Sequence, residues 1–117
     1  MHNHWDLALE CWQNQDFWHV HEHFEELWKS TSGVESMSYQ ALLISGVFFH
    51  HSLNGNAAGA LLCAKRALPL LEKCAKTFRG INMREFSAKF ESAVEHVRSG
   101  RTDALIIPPL SQHIELD

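Results

Sequence analysis

The sequence predicts an all-α fold, a compact bundle of about five helices with an extended, proline-containing C-terminal tail. Two observations predict it. Apolar residues recur three and four positions apart along most of the chain, and no β-branched run alternates with polar residues as a half-buried strand would. The length of 117 residues, with 45% hydrophobic and 21% charged content, suits one globular domain spanning residues 1–117.

The elements follow in order. A first helix is expected from Asn3 to Trp12, capped by Asn3, with Trp5, Leu9 and Trp12 on one face. The turn Asn14-Gln15-Asp16 ends it, and Asp16 can cap a second helix from Phe17 to Lys29. That helix breaks in STSGVES, where Ser, Thr and Gly offer the backbone local alternatives. A third helix, Met37 to Leu53, is apolar nearly all round and so must be central.

Asn54-Gly55-Asn56 makes a tight connection, with Asn56 as the next cap, and a fourth helix is expected from Ala57 to Phe78. Its face Ala60, Cys63, Ala64, Ala67, Leu71, Cys74 and Ala75 is small enough to let a neighbour approach closely, while Lys65, Arg66, Pro69 and Lys73 fall on the solvent side. After a loop at Arg79 to Ile81, Asn82-Met-Arg-Glu85 resembles a capping box. The fifth helix it opens runs to about Gly100 and buries Phe86, Phe90, Ala93, Val94 and Val97. The tail Leu105-Ile-Ile-Pro-Pro-Leu110 cannot be helical, yet it is too apolar to float free; it is expected to lie across the bundle or a second subunit, which keeps a homodimer open.

Charge narrows the partners. A formal net charge of −4 and a pI near 6.1 supply no basic face for nucleic acid or an anionic membrane. No signal segment opens the chain, and the longest apolar run, Ala41 to Phe49, is far short of the roughly 20 residues that cross a bilayer. A cytoplasmic protein is expected. Cys11, Cys63 and Cys74 form no CxxC pair, and free thiols are the expected state.

Nine His and four Trp are concentrated in the first half. On a helical wheel His21 lies in the apolar stripe with Phe17, Val20, Phe24, Leu27 and Trp28, and Glu25 stands at its edge within i,i+4 reach. On the third helix Gln40, Ile44, Val47 and His51 share one stripe, and two polar residues on a central helix need partners. If that stripe faces the second helix, His21, Glu25, Gln40 and His51 converge. The cluster could hold a divalent metal ion through His21, Glu25 and His51, with a position left for water; equally, it could be a hydrogen-bond network that sets helix register. His50 points elsewhere. His19 and His23, four apart on the solvent side with Glu26, are a chance pair, and His2 and His4 are discounted likewise. HExxH fails because Glu25 stands where the second His belongs, and paired Glu-x-x-His segments, phosphate-binding glycine loops and Gly-x-Ser-x-Gly are absent from the sequence.

FWHVHEHFEELW, YQALLISGVFFHH and GNAAGA, in this order and spacing over about residues 16–71, resemble the bacterial, archaeal and plastid family called domain of unknown function 309. Its pattern runs approximately F-[FW]-E-A-H-E-x-x-E-x-x-W, then L-Q-G-L-I-Q, then G-N-x-x-G-A. It falls here on Phe17, His21, Glu22, Glu25, Trp28, Gln40, Gly55, Asn56, Gly59 and Ala60. His19, Val20, Ala41 and Ile44 depart from it, and Ile44 removes the second Gln. The resemblance implies a helical bundle and no established activity, although some members are labelled metal-dependent hydrolases. Two readings therefore stand: a non-catalytic binding or interaction module with a cluster of His21, Glu25, Trp28, Gln40, His51 and Asn56, and a metal-dependent hydrolase with Glu22 as candidate base. The tetratricopeptide-like hairpin form of Gln40 to Glu72 and the missing second ligand motif favour the first.

Overall fold

A computed structural model describes residues 3–110. Five α-helices, α1 (His4–Gln13), α2 (Phe17–Lys29), α3 (Gly33–Leu53), α4 (Ala57–Lys73) and α5 (Met83–Arg98), are joined between α4 and α5 by the hairpin β1 (Thr77–Phe78) and β2 (Ile81–Asn82). No helix among the described residues is long and apolar enough to cross a membrane.

Asn or Asp opens four of the five helices. Asn3, Asp16, Asn56 and Asn82 each accept a hydrogen bond from the backbone N–H three residues on, which satisfies a donor the helix itself cannot pair. The helix boundaries expected at these caps are the ones observed.

The uniformly apolar α3 is the axis of the molecule. Ala41 through Gly46 are all buried, with Phe48 and Phe49 behind them. Buried Ser38 and Ser45 are satisfied within the helix, since their hydroxyls donate to the carbonyls of Val34 (2.9 Å) and Ala41 (2.7 Å). At Gly46 an added Cβ would stand 3.2 Å from Val20 Cγ1, so a hydrogen at this position is what lets α2 lie close against α3. On the other side Ala60, Ala64 and Ala67 present the small-residue stripe of α4, and α3 and α4 fold back as a helical hairpin through Asn54–Asn56.

Three expectations are corrected. The third helix begins at Gly33, four residues before Met37: Ser30 and Thr31 close the end of α2 by donating to the carbonyls of Leu27 and Trp28, and Gly33, at φ +65°, then turns the chain within three residues. The fourth helix stops at Lys73 and does not reach Phe78. Cys74 is extended, and Phe78 is carried by the hairpin into an aromatic group with Trp5 and Tyr39, where the Arg79 guanidinium covers Trp5 at 4.3 Å and donates to the Tyr39 hydroxyl (3.0 Å). Long-range aromatic packing outweighs the local helical pattern there, and a two-residue strand pair appears where no strand was expected. Left-handed Arg79 and Gly80 supply its turn.

The tail lies across the bundle, as one of its two expected courses. Pro108 is buried and its carbonyl accepts a 2.8 Å hydrogen bond from the Trp12 indole; Leu110 is buried as well, and Ile106 is exposed. Cys11, Cys63 and Cys74 are free thiols.

Candidate functional site

The second helix sets the site, because its register sends Phe17, Val20 and Phe24 into the core and leaves His21, Glu25 and Trp28 on the flank beside α3 and α4. These three, with Gln40, Leu43, Ile44 and Val47 of α3 and Cys63 and Arg66 of α4, line a cleft of about 330 Å³. That volume is at the lower end of small-molecule sites. Its floor is aliphatic and its walls are polar.

His21 is not deeply buried, as the apolar stripe suggested, but stands at the cleft wall with about a quarter of its side chain exposed. Its Nε2 is 3.3 Å from Glu25 Oε2, and Glu25 Oε1 also meets Lys29 Nζ at 3.0 Å. The Lys29 hydrogen bond and charge, and secondarily His21, hold the Glu25 carboxyl below its usual range. Glu25 thus meets the ring at Nε2 and leaves Nδ1 free of it. That Nδ1 is buried without a hydrogen-bond partner among the described residues. Gln40, half-buried, and Arg66, exposed, likewise make no side-chain hydrogen bond or ion pair among them. Burial has raised the Cys63 thiol above its ordinary pKa, so it is a poor nucleophile.

His51 and Asn56 belong to a different place. At the end of α3 the Asn56 side chain accepts from Gly59 N–H (2.9 Å), and its amide lies 3.3 Å from His51 Nδ1, where it donates to that nitrogen. A Cβ on Gly59 would be 2.5 Å from Asn56 Nδ2, and Gly55 takes φ +74°. The Gly-Asn-x-x-Gly-Ala segment is thus a capped corner: a left-handed turn, a cap, a vacancy for the cap and a small residue, Ala60, packed under α3. Asn56 and His51 are consequently not lining residues of the cleft. The ring of His50, expected to point elsewhere, lies 5.5 Å from that of Trp18, whose other neighbour is His21, also at 5.5 Å.

The metal expected at His21, Glu25 and His51 does not fit this arrangement. One of the three donors is held at the corner, Glu25 is occupied by Lys29, and no group of three or more His, Cys, Asp or Glu among the described residues is placed to hold an ion. Glu22, the candidate base, is exposed and lines a separate cleft with His4, His23, Glu25 and Glu26. His2 lies outside the described residues. Sequence reasoning missed Arg66, assigned to solvent with Lys65; its position three after Cys63, on the rim of the alanine stripe, was the available signal.

The molecule is thus a small helical protein with an amphipathic cleft between α2, α3 and α4. The model of the family described as Domain of unknown function (DUF309) matches residues 5–62, and the chain belongs to this family. An uncharacterised protein of Aquifex aeolicus (strain VF5) is 31% identical over 88 residues, which are 74% of this chain and 26% of that protein. The chain therefore spans about a quarter of the curated relative's length. No solved structure matches.

Proposed function

We propose that this protein is a non-catalytic binding module whose α2–α3–α4 cleft takes a small amphipathic ligand. The observation that carries the reading is the convergence of three polar groups with unfilled hydrogen-bonding capacity, His21 Nδ1, the Gln40 amide and the Arg66 guanidinium, around one aliphatic floor. A buried polar atom without a partner, as His21 Nδ1 is, is costly, and a ligand that supplies the partner recovers that cost, while Gln40 and Arg66 stand at the same cleft with donors to offer. Leu43, Ile44 and Val47 suit an apolar body, Trp28 supplies an aromatic wall, and Arg66 suits a carboxylate or other planar anion.

Benzoate and benzamide, followed by nuclear magnetic resonance, test the reading. Saturable shifts of the Gln40 side-chain amide and the Trp28 indole are expected, stronger with benzoate and lost in Gln40→Ala and Arg66→Ala. Shifts scattered over the surface, or unchanged in both variants, would mean the cleft is packing and nothing more. A homodimer would have to draw on exposed groups such as Ile106, because Pro108 and Leu110 are covered by the chain itself; light scattering on the eluting protein decides it.

A further inference from the structure

His4 opens α1 and His23 sits in the middle of α2, yet their Nδ1 atoms are 3.0 Å apart, with ring centroids at 5.3 Å and planes inclined by 44°. Two imidazole nitrogens at that separation share one proton, since two N–H groups would oppose each other. His23 is half-buried; burial first, and the neighbouring His4 next, hold its pKa below the usual histidine value, which keeps lone pairs available near neutral pH. The pair opens on a cleft of about 440 Å³ whose remaining lining is Glu22, Glu25 and Glu26. Among the described residues, two imidazoles and three carboxylates line it, and no Lys or Arg does. Glu25 is taken by Lys29 and His21, whereas Glu22 and Glu26 make no hydrogen bond or ion pair among the described residues.

We infer that His4 and His23 form the nitrogen half of a site for a divalent transition metal of the zinc class, completed by oxygen from Glu22 or Glu26 and by water. A metal about 2.0–2.1 Å from each of two imidazole nitrogens requires those nitrogens to be about 2.8–3.0 Å apart at an octahedral angle near 90°, and about 3.3–3.4 Å apart at the tetrahedral angle zinc prefers. The observed 3.0 Å matches the first and is about 0.3 Å short of the second, a gap that a small turn of the exposed His4 ring closes. Imidazole with carboxylate suits zinc, nickel or copper, and excludes calcium and magnesium, which demand an all-oxygen shell. Glu22 adjoins His23 and Glu26 follows it by one turn, so rotation of an exposed side chain suffices to bring an oxygen in; no third donor is yet in ligand position. When the ion enters, it takes both Nδ1 lone pairs; the ring that held its hydrogen on Nδ1 gives that proton to solvent and takes one up on Nε2, a change of tautomer with no net proton release. The ion would clamp the start of α1 to α2. This site is separate from the amphipathic cleft and does not depend on its reading.

Calorimetric titration of the tag-free protein with zinc chloride at neutral pH tests the site. One equivalent is expected to bind with micromolar or tighter affinity and to raise the melting temperature. Binding should be lost in His4→Ala and in His23→Ala, weakened in the double variant Glu22→Gln, Glu26→Gln, and unchanged in His19→Ala. Circular dichroism of each variant establishes that it is folded, and the nitrogen resonances of the two rings in the parent protein report the ligation directly. Absence of saturable binding, or one equivalent still bound by folded His4→Ala, His23→Ala double variant, overturns the inference.

Discussion

Two regions of this molecule carry the family's motif residues and use them in opposite ways. At the corner between α3 and α4 the polar side chains satisfy one another, with Asn56 bonded to Gly59 N–H and to His51. At the cleft between α2, α3 and α4 they do not: His21 meets Glu25 at Nε2 while its buried Nδ1 has no hydrogen-bond partner, and Gln40, with the non-motif Arg66 beside it, makes no side-chain hydrogen bond among the described residues. A recurrent residue whose bonds are completed by its own neighbours is explained by folding. One that keeps unfilled bonding capacity beside a cleft calls for something outside the chain.

The comparison rests on a common frame, and breaking the frame should have the largest effect. Phe24 is fully buried on the core face of α2, against Trp5. Phe24→Ala is expected to cost about 3–5 kcal/mol in chemical denaturation. Because α2 carries the cleft wall while the corner belongs to α3 and α4, hydrogen exchange in the variant should rise in α2 before it rises around Asn56. Simultaneous loss would mean the two regions are not separable.

Restoring the family's second Gln probes the cleft floor. Ile44 is buried and lies one turn after Gln40. Ile44→Gln is expected to cost about 1–3 kcal/mol, the usual penalty for an amide placed among aliphatic side chains. A neutral result would show that the floor is wet enough to hydrogen-bond a second amide, and would widen the class of ligands toward more polar ones.

The corner is probed by its cap. Asn56→Ala should lower stability by about 1 kcal/mol without altering probe binding at the cleft, and Asn56→Asp, which still accepts from Gly59 N–H, should recover most of that loss. If Asn56→Ala abolished benzoate binding with the fold intact, the corner would have to be counted as part of the site.

The smallest difference is in pH dependence. The Glu25 carboxyl is depressed by Lys29 and then by His21, so its contribution to stability is complete above its ordinary value of 4.5 and is lost as pH falls through the lowered value. Glu25→Gln should remove that part of the acid limb of the stability profile, whereas Asn56→Ala should displace the whole profile by a constant amount. Unfolding curves collected from neutral pH down to well below 4.5 distinguish the two. An acid limb unaltered in Glu25→Gln would mean that Glu25 is equally stabilised in the unfolded chain.

Much of the secondary structure was legible because it is local. Asn3, Asp16, Asn56 and Asn82 announce helix starts through side chains that reach only three residues, and the apolar girth of Ala41 to Phe49 requires a central helix wherever its neighbours lie. The ends that depend on distant partners were not legible. Nothing near Phe78 reveals that Trp5 and Tyr39 will stop α4 short and fold the chain into a hairpin. The same division applies to the candidate residues. The spacing of His21 and Glu25 guarantees their contact on any helix. The partition of Gln40 to the cleft and His51 to the corner, the recruitment of Arg66, and the meeting of His4 with His23 were settled only by how the helices cross. Helical periodicity assigns each side chain an angle about its own axis, but the neighbour found at that angle is set by crossing angles and loop lengths, which arise from packing of the whole chain.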